Sequence, residues 1–242
     1  MVSVEAGEKI LNDGDADMIG YGRSLLTDPD IALKVKKGEC IRECLNCNKG
    51  CVDAIQNRQY ISCVLNAENG NEATVSIKPT NNPQKVVVIG GGIAGMEASS
   101  ILHRMGNNVI LVERCDKLGG HLAKWDRLFP QGVKAMDVLT PLMENLSGVN
   151  YFLNTEINSI NRLEKQYNVI LSNGVAMLAD SILFTTGFDL FKAEKKEEYG
   201  YGIYNRVITN ADLENYFKTG SDKRIEPPQR IGFVHCVGER ID

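Results

Sequence analysis

The sequence lacks several features that would assign it to large classes of protein. No stretch approaches the roughly 18 consecutive apolar residues of a membrane-spanning helix, and the start, MVSVEAGEKIL, lacks the charged beginning and apolar core of a signal peptide. Lysine and arginine number 27 against 31 aspartates and glutamates, so the net charge is −4 and no basic excess indicates nucleic-acid binding. We therefore expect a cytoplasmic protein with no membrane span and no nucleic-acid partner.

Recognisable catalytic pairs are lacking as well. The sequence contains no nucleophile with a base, and no acid–base dyad, at a spacing that would indicate a particular reaction. Its 242 residues, 43% of them apolar, nevertheless suffice for one or two domains with well-formed cores. Catalytic residues remain unknown, and we expect the chemistry to come from bound cofactors.

A glycine-rich turn between a buried strand and a helix is the strongest signal in the sequence. Residues 86–89, VVVI, are typical of a strand buried on both faces, and Gly90, Gly92 and Gly95 follow as G-x-G-x-x-G. The second strand of this unit ends at Glu113, about 20 residues past the turn, where a carboxylate can accept hydrogen bonds from ribose hydroxyls. The pattern predicts a dinucleotide-binding βαβ unit; a glycine turn that serves helix packing alone is the alternative.

Two later elements favour FAD over NAD on this turn. Gly119 and Gly120 follow the acidic strand end, and residues 181–187, SILFTTG, indicate an apolar strand that ends at Thr186 and Gly187. These motifs resemble those of flavoproteins with two dinucleotide-binding domains. The resemblance implies that all four residues lie near FAD, whereas an ordinary strand end and turn is the alternative for Thr-Thr-Gly.

Four of the seven cysteines have the spacing C-x2-C-x3-C-x11-C. These are Cys44, Cys47, Cys51 and Cys63. Three thiolates within eight residues can reach one face of a metal cluster, and the fourth, beyond a short helix, completes a shell of four thiolates. A structural zinc site is the competing interpretation, because similar sets of four cysteines bind zinc. Cys40 and Cys115 fall outside the spacing and are expected to be ordinary small apolar residues.

The cysteine segment resembles the [4Fe-4S] segment of 2,4-dienoyl-CoA reductase and trimethylamine dehydrogenase, in the old yellow enzyme class. The shared features are a Cys-x-x-Cys-Asn start and a Ser-Cys ending with an asparagine shortly after it. The resemblance implies a [4Fe-4S] cluster on the four cysteines. Residues 17–38, DMIGYGRSLLTDPDIALKVKKG, resemble the last strand and helix of the flavin-binding (β/α)8 barrel in these proteins, which maps Gly22 and Arg23 onto an FMN phosphate site.

The predicted fold class is α/β, with a Rossmann-like FAD-binding domain at its centre. Four parts are expected: 1–39, a barrel-end βα remnant; 40–80, the [4Fe-4S] segment; 81–195, the FAD domain; and 196–242, the start of a second, incomplete nucleotide-binding unit. Helices are expected over 6–11, from about 28 to 35, and over 137–146. Strands are expected over 16–21, 181–187 and 231–237, with short strands at 151–153, 168–171 and 176–178 that form an antiparallel meander.

From His121 onward the sequence resembles the A subunit of heterodisulfide reductase, on the segments GGHLAKWDRLFP, TTGFDLFKAEKKEEYGYGIY and RIGFVHCVGER. His121 itself is expected either to contact the flavin ring or to cap a local turn. Trp125 and Phe129 are expected in the core or an interface, and Cys236 in strand packing.

Together these resemblances imply an electron-transfer flavoprotein subunit, an FAD- and iron-sulfur-dependent oxidoreductase. It would pass electrons between FAD and the [4Fe-4S] cluster within a larger complex, with other redox subunits or a second copy of itself as partners. Two alternatives stay open. One is a non-catalytic assembly subunit or truncated fragment with incomplete cofactor sites, and the other is an NADH-dependent enoyl-CoA reductase.

Overall fold

The computed structural model describes residues 3–75, 78–128, 132–222 and 230–234, and the chain divides into two compact units, residues 1–77 and 78–242. Four helices occur in the described part of the first unit: α1 (Val4–Asn12), α2 (Arg23–Thr27), α3 (Ile31–Lys37) and α4 (Val52–Gln56). Within the described ranges, no helix combines the length and the apolar character needed to cross a lipid bilayer.

The strand predicted over residues 16–21 is wrong. These residues are irregular, and Met18 is 86% exposed. A strand needs a neighbour to satisfy its backbone N–H and C=O groups, and the described part of the first unit contains no second strand that could pair with it. The predicted helix over 6–11 is confirmed by α1, whose N-cap Ser3 accepts the N–H of Ala6 at 3.1 Å.

A buried carboxylate ties the start of α3 to the segment that follows it. Asp28 is 3% exposed and accepts hydrogen bonds from Nζ of Lys34 at 2.7 Å and from the backbone N–H of Arg42 at 2.9 Å. Burial raises the pKa of Asp28, but these hydrogen bonds and the charge of Lys34 outweigh it and hold the pKa below its ordinary value. The helix itself begins three residues later, at Ile31, and ends at Gly38 in the left-handed conformation.

The second unit is built on a parallel sheet, which confirms the α/β prediction. Its strands lie in the order β5 (Asn150–Phe152), β2 (Asn108–Val112), β1 (Lys85–Ile89) and β9 (Ser181–Phe184), and every neighbouring pair is parallel. Helix α5 (Ile93–Arg104) connects β1 to β2, and α6 (Ala135–Glu144) lies between β2 and β5. Parallel neighbours require such crossover connections.

The second unit also contains an antiparallel meander of β6 (Ile157–Arg162), β7 (Tyr167–Leu171) and β8 (Ala176–Ala179). Two details of the predicted meander are wrong. The strand predicted at 151–153 pairs with β2 in the parallel sheet, because α6 returns the chain to that edge. Strand β6 was not predicted, since its sequence, INSINR, contains too few apolar residues to show a clear alternation.

The core has two parts, one on each face of the parallel sheet. Val86 and Val88 of β1 pack with Met96 of α5 and Leu139 of α6 on one face. Val87 points to the opposite face, because side chains alternate along a strand, and there it packs with residues of β7 such as Val169 and Leu171. Helices, parallel sheet and meander therefore form three layers.

In the described part of the second unit, the remaining strands form a two-stranded hairpin of β3 (Arg127–Leu128) and β4 (Val133–Lys134). The remaining helices there are three short 3-10 helices (Leu122–Lys124, Ala193–Lys195, Glu197–Tyr199) and α7 (Asn210–Thr219). Helix α7 starts with a capping box between Thr209 and Asp212. The carboxylate of Glu214 accepts the N–H groups of Asp126 and Arg127, which fastens α7 to the loop before β3.

The strand predicted over 231–237 is not found in the part of it that the structure describes. Residues 231–234 are irregular, with Ile231 66% and Phe233 68% exposed. Residues 235–237, which include Cys236, lie outside the described ranges, as does Phe129.

Candidate functional site

The glycine turn lies at the carboxyl end of β1, an inner strand of the parallel sheet. A Cβ on Gly95 would overlap the carbonyl oxygen of Gly90, and one on Gly90 would lie 2.5 Å from the carbonyl oxygen of Thr185. Both glycines are therefore required for close packing of helix and strands. A Cβ on Gly92 meets no atom within 4 Å. The backbone at Gly92, the N-cap of α5, thus faces open space that a ligand can occupy.

The carboxylate of Glu113 binds directly to this turn. Glu113 is 7% exposed; its Oε2 accepts the N–H of Gly91 at 2.5 Å, and its Oε1 accepts the N–H of Cys115 at 2.8 Å. Each carboxylate oxygen has two lone pairs, so both keep capacity for a further donor such as a ribose hydroxyl. The same carboxylate raises the pKa of the Cys115 thiol, through a hydrogen bond that favours the protonated sulfur.

The second glycine pair packs against the first turn. The N–H of Gly119 donates to the carbonyl oxygen of Gly91 at 2.8 Å, and a Cβ on Gly120 would lie 3.2 Å from Cα of Gly92. Both have positive φ, +111° and +56°, a conformation that glycine adopts most easily. The structure thus brings the two glycine motifs, far apart in sequence, to one place.

The Thr-Thr-Gly segment meets the same turn, but through a threonine that sequence reasoning missed. Thr185 donates from Oγ1 to the carbonyl oxygens of Ile89 and Gly90, both at 2.9 Å. Thr186 is exposed, with its Cα near Gly90, and Gly187 has a φ of +72°. The sequence offers two adjacent threonines, and only the pairing of β9 with β1 selects the one that faces the turn.

His121 joins the glycine loop to the segment after β9. Its Nε2 lies 2.7 Å from the carbonyl oxygen of Phe188, and its ring stacks on Phe188 and Trp125 with centroid separations of 5.0 and 6.0 Å. Trp125 is half-buried against the helix-side core, as expected. The predicted contact of His121 with a flavin ring stays a prediction, while the side chain does connect two loops that border the glycine turn.

In the first unit, all four spaced cysteines line one cavity. Within the described ranges no three His, Cys, Asp or Glu side chains are close enough to hold one metal ion as they stand. Gly50 explains why Cys63, distant in sequence, can lie close to the other three cysteines. The carbonyl of Gly50 accepts the N–H of Ser62 at 2.6 Å, and a Cβ on Gly50 would lie 2.5 Å from the carbonyl oxygen of Ser62. This close approach places Cys63 beside the loop of the other three.

Groups that can donate hydrogen bonds lie beside two of the sulfurs in this cavity. The N–H of Asn46 donates to Sγ of Cys44 at 3.5 Å, and Oγ1 of Thr27 lies 3.6 Å from Sγ of Cys63. Burial raises the pKa of the Cys63 thiol, yet hydrogen bonds and a nearby positive charge lower it more, so the thiol pKa is below its ordinary value. The groups responsible are the Thr27 hydroxyl, the N–H groups of Leu65 and Asn66, and Arg42. Such an environment favours thiolate, the form that binds metal.

Three further residues named from the sequence are Cys40, Cys115 and Arg23, and Arg23 lines the same cavity as the four cysteines. Cys40 and Cys115 are exposed, so the expectation that they fill apolar space is wrong. Arg23 donates from Nη1 to Oδ1 of Asn48 at 2.7 Å, which fixes the loop between the second and third cysteines. Asn48 has a φ of +60°, a conformation that asparagine tolerates better than most residues.

A glycine turn at the end of an inner parallel strand, with an acid at the end of the next strand, defines a Rossmann-type nucleotide-binding domain. Residues 67–219 match the pyridine nucleotide-disulphide oxidoreductase family, and the chain belongs to that family. Membership makes the second unit an oxidoreductase domain and implies FAD as its cofactor.

The relatives include two reductases and one protein named as a demethylase. The chain is 52% identical over 124 residues to a bilirubin reductase of Mediterraneibacter gnavus (50% of this chain, 19% of the relative) and 31% identical over 226 residues to a probable N-methylproline demethylase of Rhizobium meliloti (87% and 33%). It is 24% identical over 248 residues to the A subunit of the ferredoxin/F420H2-dependent CoB-CoM heterodisulfide reductase of Methanosarcina acetivorans (65% and 31%), which confirms the resemblance to that protein. The chain thus spans from 19% to 33% of the length of these relatives.

Proposed function

We propose that this chain is an electron-transfer flavoprotein that binds FAD at the glycine turn and a [4Fe-4S] cluster at its four cysteines. The observation that carries the proposal is the cavity lined by Cys44, Cys47, Cys51 and Cys63 in a chain whose other unit belongs to a flavin-dependent oxidoreductase family. When bound, the two groups supply the electron chemistry. The protein's own residues hold them and set their environment.

For FAD, the residues of the second unit have separable roles. The free N–H groups at the start of α5 favour a pyrophosphate, and the open space beside Gly92 lets it approach the backbone. Glu113, fixed by two backbone N–H groups, is positioned to accept from the ribose. Gly119 and Gly120 pack against Gly91 and Gly92, and Thr186 lies beside Gly90. We assign these three residues and Gly187 to the FAD site, while Thr185 holds the turn against β9.

For the cluster, support comes from the donor set and its surroundings. Four thiols and no carboxylate line the cavity, and thiolates are the usual ligands of iron-sulfur clusters. The N–H of Asn46 donates to Sγ of Cys44, and the hydroxyl of Thr27 lies beside Sγ of Cys63, where it can donate to a thiolate.

The test is anaerobic purification of the protein, followed by absorption spectroscopy and iron, sulfide, zinc and flavin analysis. We expect flavin bands with a broad shoulder that dithionite bleaches, and iron and sulfide approaching about four each per chain. Zinc at one equivalent without labile sulfide would contradict the cluster. Extracted FMN in place of FAD would contradict the flavin assignment.

We further propose that the chain exchanges electrons with another redox subunit or self-associates. In its support, large apolar side chains are exposed on β9 and the segment that follows it. They include Phe184 (63%), Phe188 (61%), Phe191 (43%) and Tyr204 (67%). Light scattering after size exclusion is expected to give a mass above 26.7 kDa. A monomer with full FAD and cluster content would contradict this proposal.

A further inference from the structure

A buried hydroxyl group lies against one of the four cysteines. Thr27, the last residue of α2, is 1% exposed, and its Oγ1 lies 3.6 Å from Sγ of Cys63 and 3.1 Å from the carbonyl oxygen of Arg23. The hydroxyl therefore has two neighbours that can accept its single proton. Its burial excludes water as a competing partner.

The state of the sulfur decides which neighbour receives that proton. While Cys63 carries a thiol, its S–H can donate to Oγ1, and the hydroxyl can donate to the carbonyl of Arg23. A sulfur bound to iron has lost its proton and can only accept. Hydrogen bonds to an ionised acceptor are roughly twice as strong as those between neutral groups, so the hydroxyl is expected to turn toward the sulfur once metal binds.

Thr27 differs from the other hydrogen-bonding groups described at these sulfurs in being a side chain. At Cys44 the donor is the backbone N–H of Asn46, and Cys51 lies 3.8 Å from the backbone carbonyl of Asn48. Backbone groups stay in place when a side chain is changed. The hydroxyl of Thr27 can be removed alone, because valine has nearly the same shape.

We propose that Thr27 is a positioning residue that donates a hydrogen bond to the Cys63 sulfur and raises the reduction potential of the cluster. This inference rests on the cluster of the proposed function. Reduction adds negative charge to the cluster and its thiolates, so a hydrogen bond to sulfur stabilises the reduced state more than the oxidised state. Hydrogen bonds to the sulfurs are among the factors that set cluster potentials, and burial strengthens this one.

The test is a redox titration of the cluster, monitored by electron paramagnetic resonance. It is carried out on the wild-type protein, Thr27→Val and Thr27→Ser. We expect Thr27→Val to shift the midpoint potential to more negative values while iron and sulfide contents stay unchanged. Thr27→Ser keeps the hydroxyl and is expected to stay near the wild type. The flavin potential, measured in the same samples, serves as an internal control.

A Thr27→Val protein with a full cluster and an unchanged potential would overturn the inference, as would an equal shift in Thr27→Ser. If Thr27→Val loses its cluster, Thr27→Ala is titrated in its place. Loss from both variants with retention in Thr27→Ser would support the hydroxyl's role in holding Cys63. Absence of iron and sulfide from the wild type would instead overturn the proposed function itself, so the two failures are distinguishable.

Discussion

Gly92 and Gly95 belong to one motif, yet the structure gives them different physical roles. Gly95 is required by the fold, because the Cβ of any other residue would clash with the carbonyl oxygen of Gly90. Gly92 has open space where its side chain would be, so the fold tolerates a larger residue there. Its requirement can then come only from a ligand. Substitutions at these two positions, three residues apart, should therefore distinguish an effect on ligand binding from an effect on folding.

Gly92→Ala is expected to keep the fold and to weaken FAD binding at least tenfold, about 1.4 kcal/mol, because the added Cβ would meet the pyrophosphate. Retained flavin after gel filtration and FAD titration of the apoprotein measure the effect. Gly95→Ala is the matched comparison and should lose secondary structure by circular dichroism. Full FAD affinity in folded Gly92→Ala would show that the pyrophosphate lies elsewhere.

Glu113→Gln is expected to destabilise the second unit by about 1–3 kcal/mol and to weaken FAD binding. A carboxylate accepts the N–H groups of both Gly91 and Cys115, whereas an amide turns its NH2 toward one of them. Urea unfolding of the apoprotein measures the change. Glu97→Gln, on the exposed side of α5, is the control and should have little effect on stability. Equal stabilities for the two variants would argue against the hydrogen bonds of Glu113 to Gly91 and Cys115.

At the scale of elements, the glycine turn depends on a strand more than 90 residues away. Strand β9 pairs with β1 in parallel, Ile89 opposite Phe184, and this register brings Thr185 to the carbonyls of Ile89 and Gly90. The turn is therefore fastened from the side opposite to Glu113. Strands β2 and β9, which lie on either side of β1, thus hold the same loop.

Thr185→Val is expected to cost about 1 kcal/mol of stability and to lower FAD affinity, because the hydroxyl that bonds the two carbonyls is removed. Thr185→Ser should retain most of both, which separates the hydroxyl from the methyl group. Thr186→Val, at the exposed neighbour, is expected to leave stability unchanged. Thermal unfolding and FAD titration are the measurements, and a larger stability loss in Thr186→Val than in Thr185→Val would contradict the assignment.

Asp28 is expected to make the stability of the first unit depend on pH in the acid range. Its folded pKa is below the ordinary value of 3.8, so its stabilising contribution is complete above that value and is lost as pH falls through the folded pKa. Asp28→Asn is expected to cost about 1.5–3 kcal/mol at neutral pH and to flatten the decline of stability below about pH 4. Urea unfolding at several pH values tests this, with exposed Asp30→Asn as control; an unchanged acid profile in Asp28→Asn would contradict it.

At the scale of the whole molecule, the two candidate cofactor sites lie in different compact units. The cysteines belong to residues 1–77 and the glycine turn to residues 78–242. Each unit has its own buried residues, among them Ile31 and Ala54 in the first and Val87 and Leu111 in the second. Damage to one site should therefore leave the other intact.

The double variant Cys47→Ser, Cys51→Ser is expected to lose iron and sulfide while it retains FAD at the wild-type ratio. Two ligands are removed, and none of the contacts of the glycine turn described above involves these positions. Iron, sulfide and flavin analyses on the same preparation give the result. Cys40→Ser, at an exposed cysteine outside the spacing, should keep both cofactors. Loss of FAD together with iron would show that the sites depend on each other.

The sequence by itself determined those parts of the site that are local in the chain. The G-x-G-x-x-G turn, the acid at Glu113 and the order of strand and helix follow from spacing, because a strand and a helix repeat with different periods and glycine allows tight backbone approach. Most helices were predictable for the same reason.

Only the tertiary structure decided which distant groups meet. It placed residues 150–152 in the parallel sheet, left residues 16–21 without a strand partner, selected Thr185 over Thr186, and brought Ser62 and Cys63 against Gly50. Strand pairing and side-chain contacts depend on backbone groups that are remote in sequence, and local periodicity carries no information about which remote group is available.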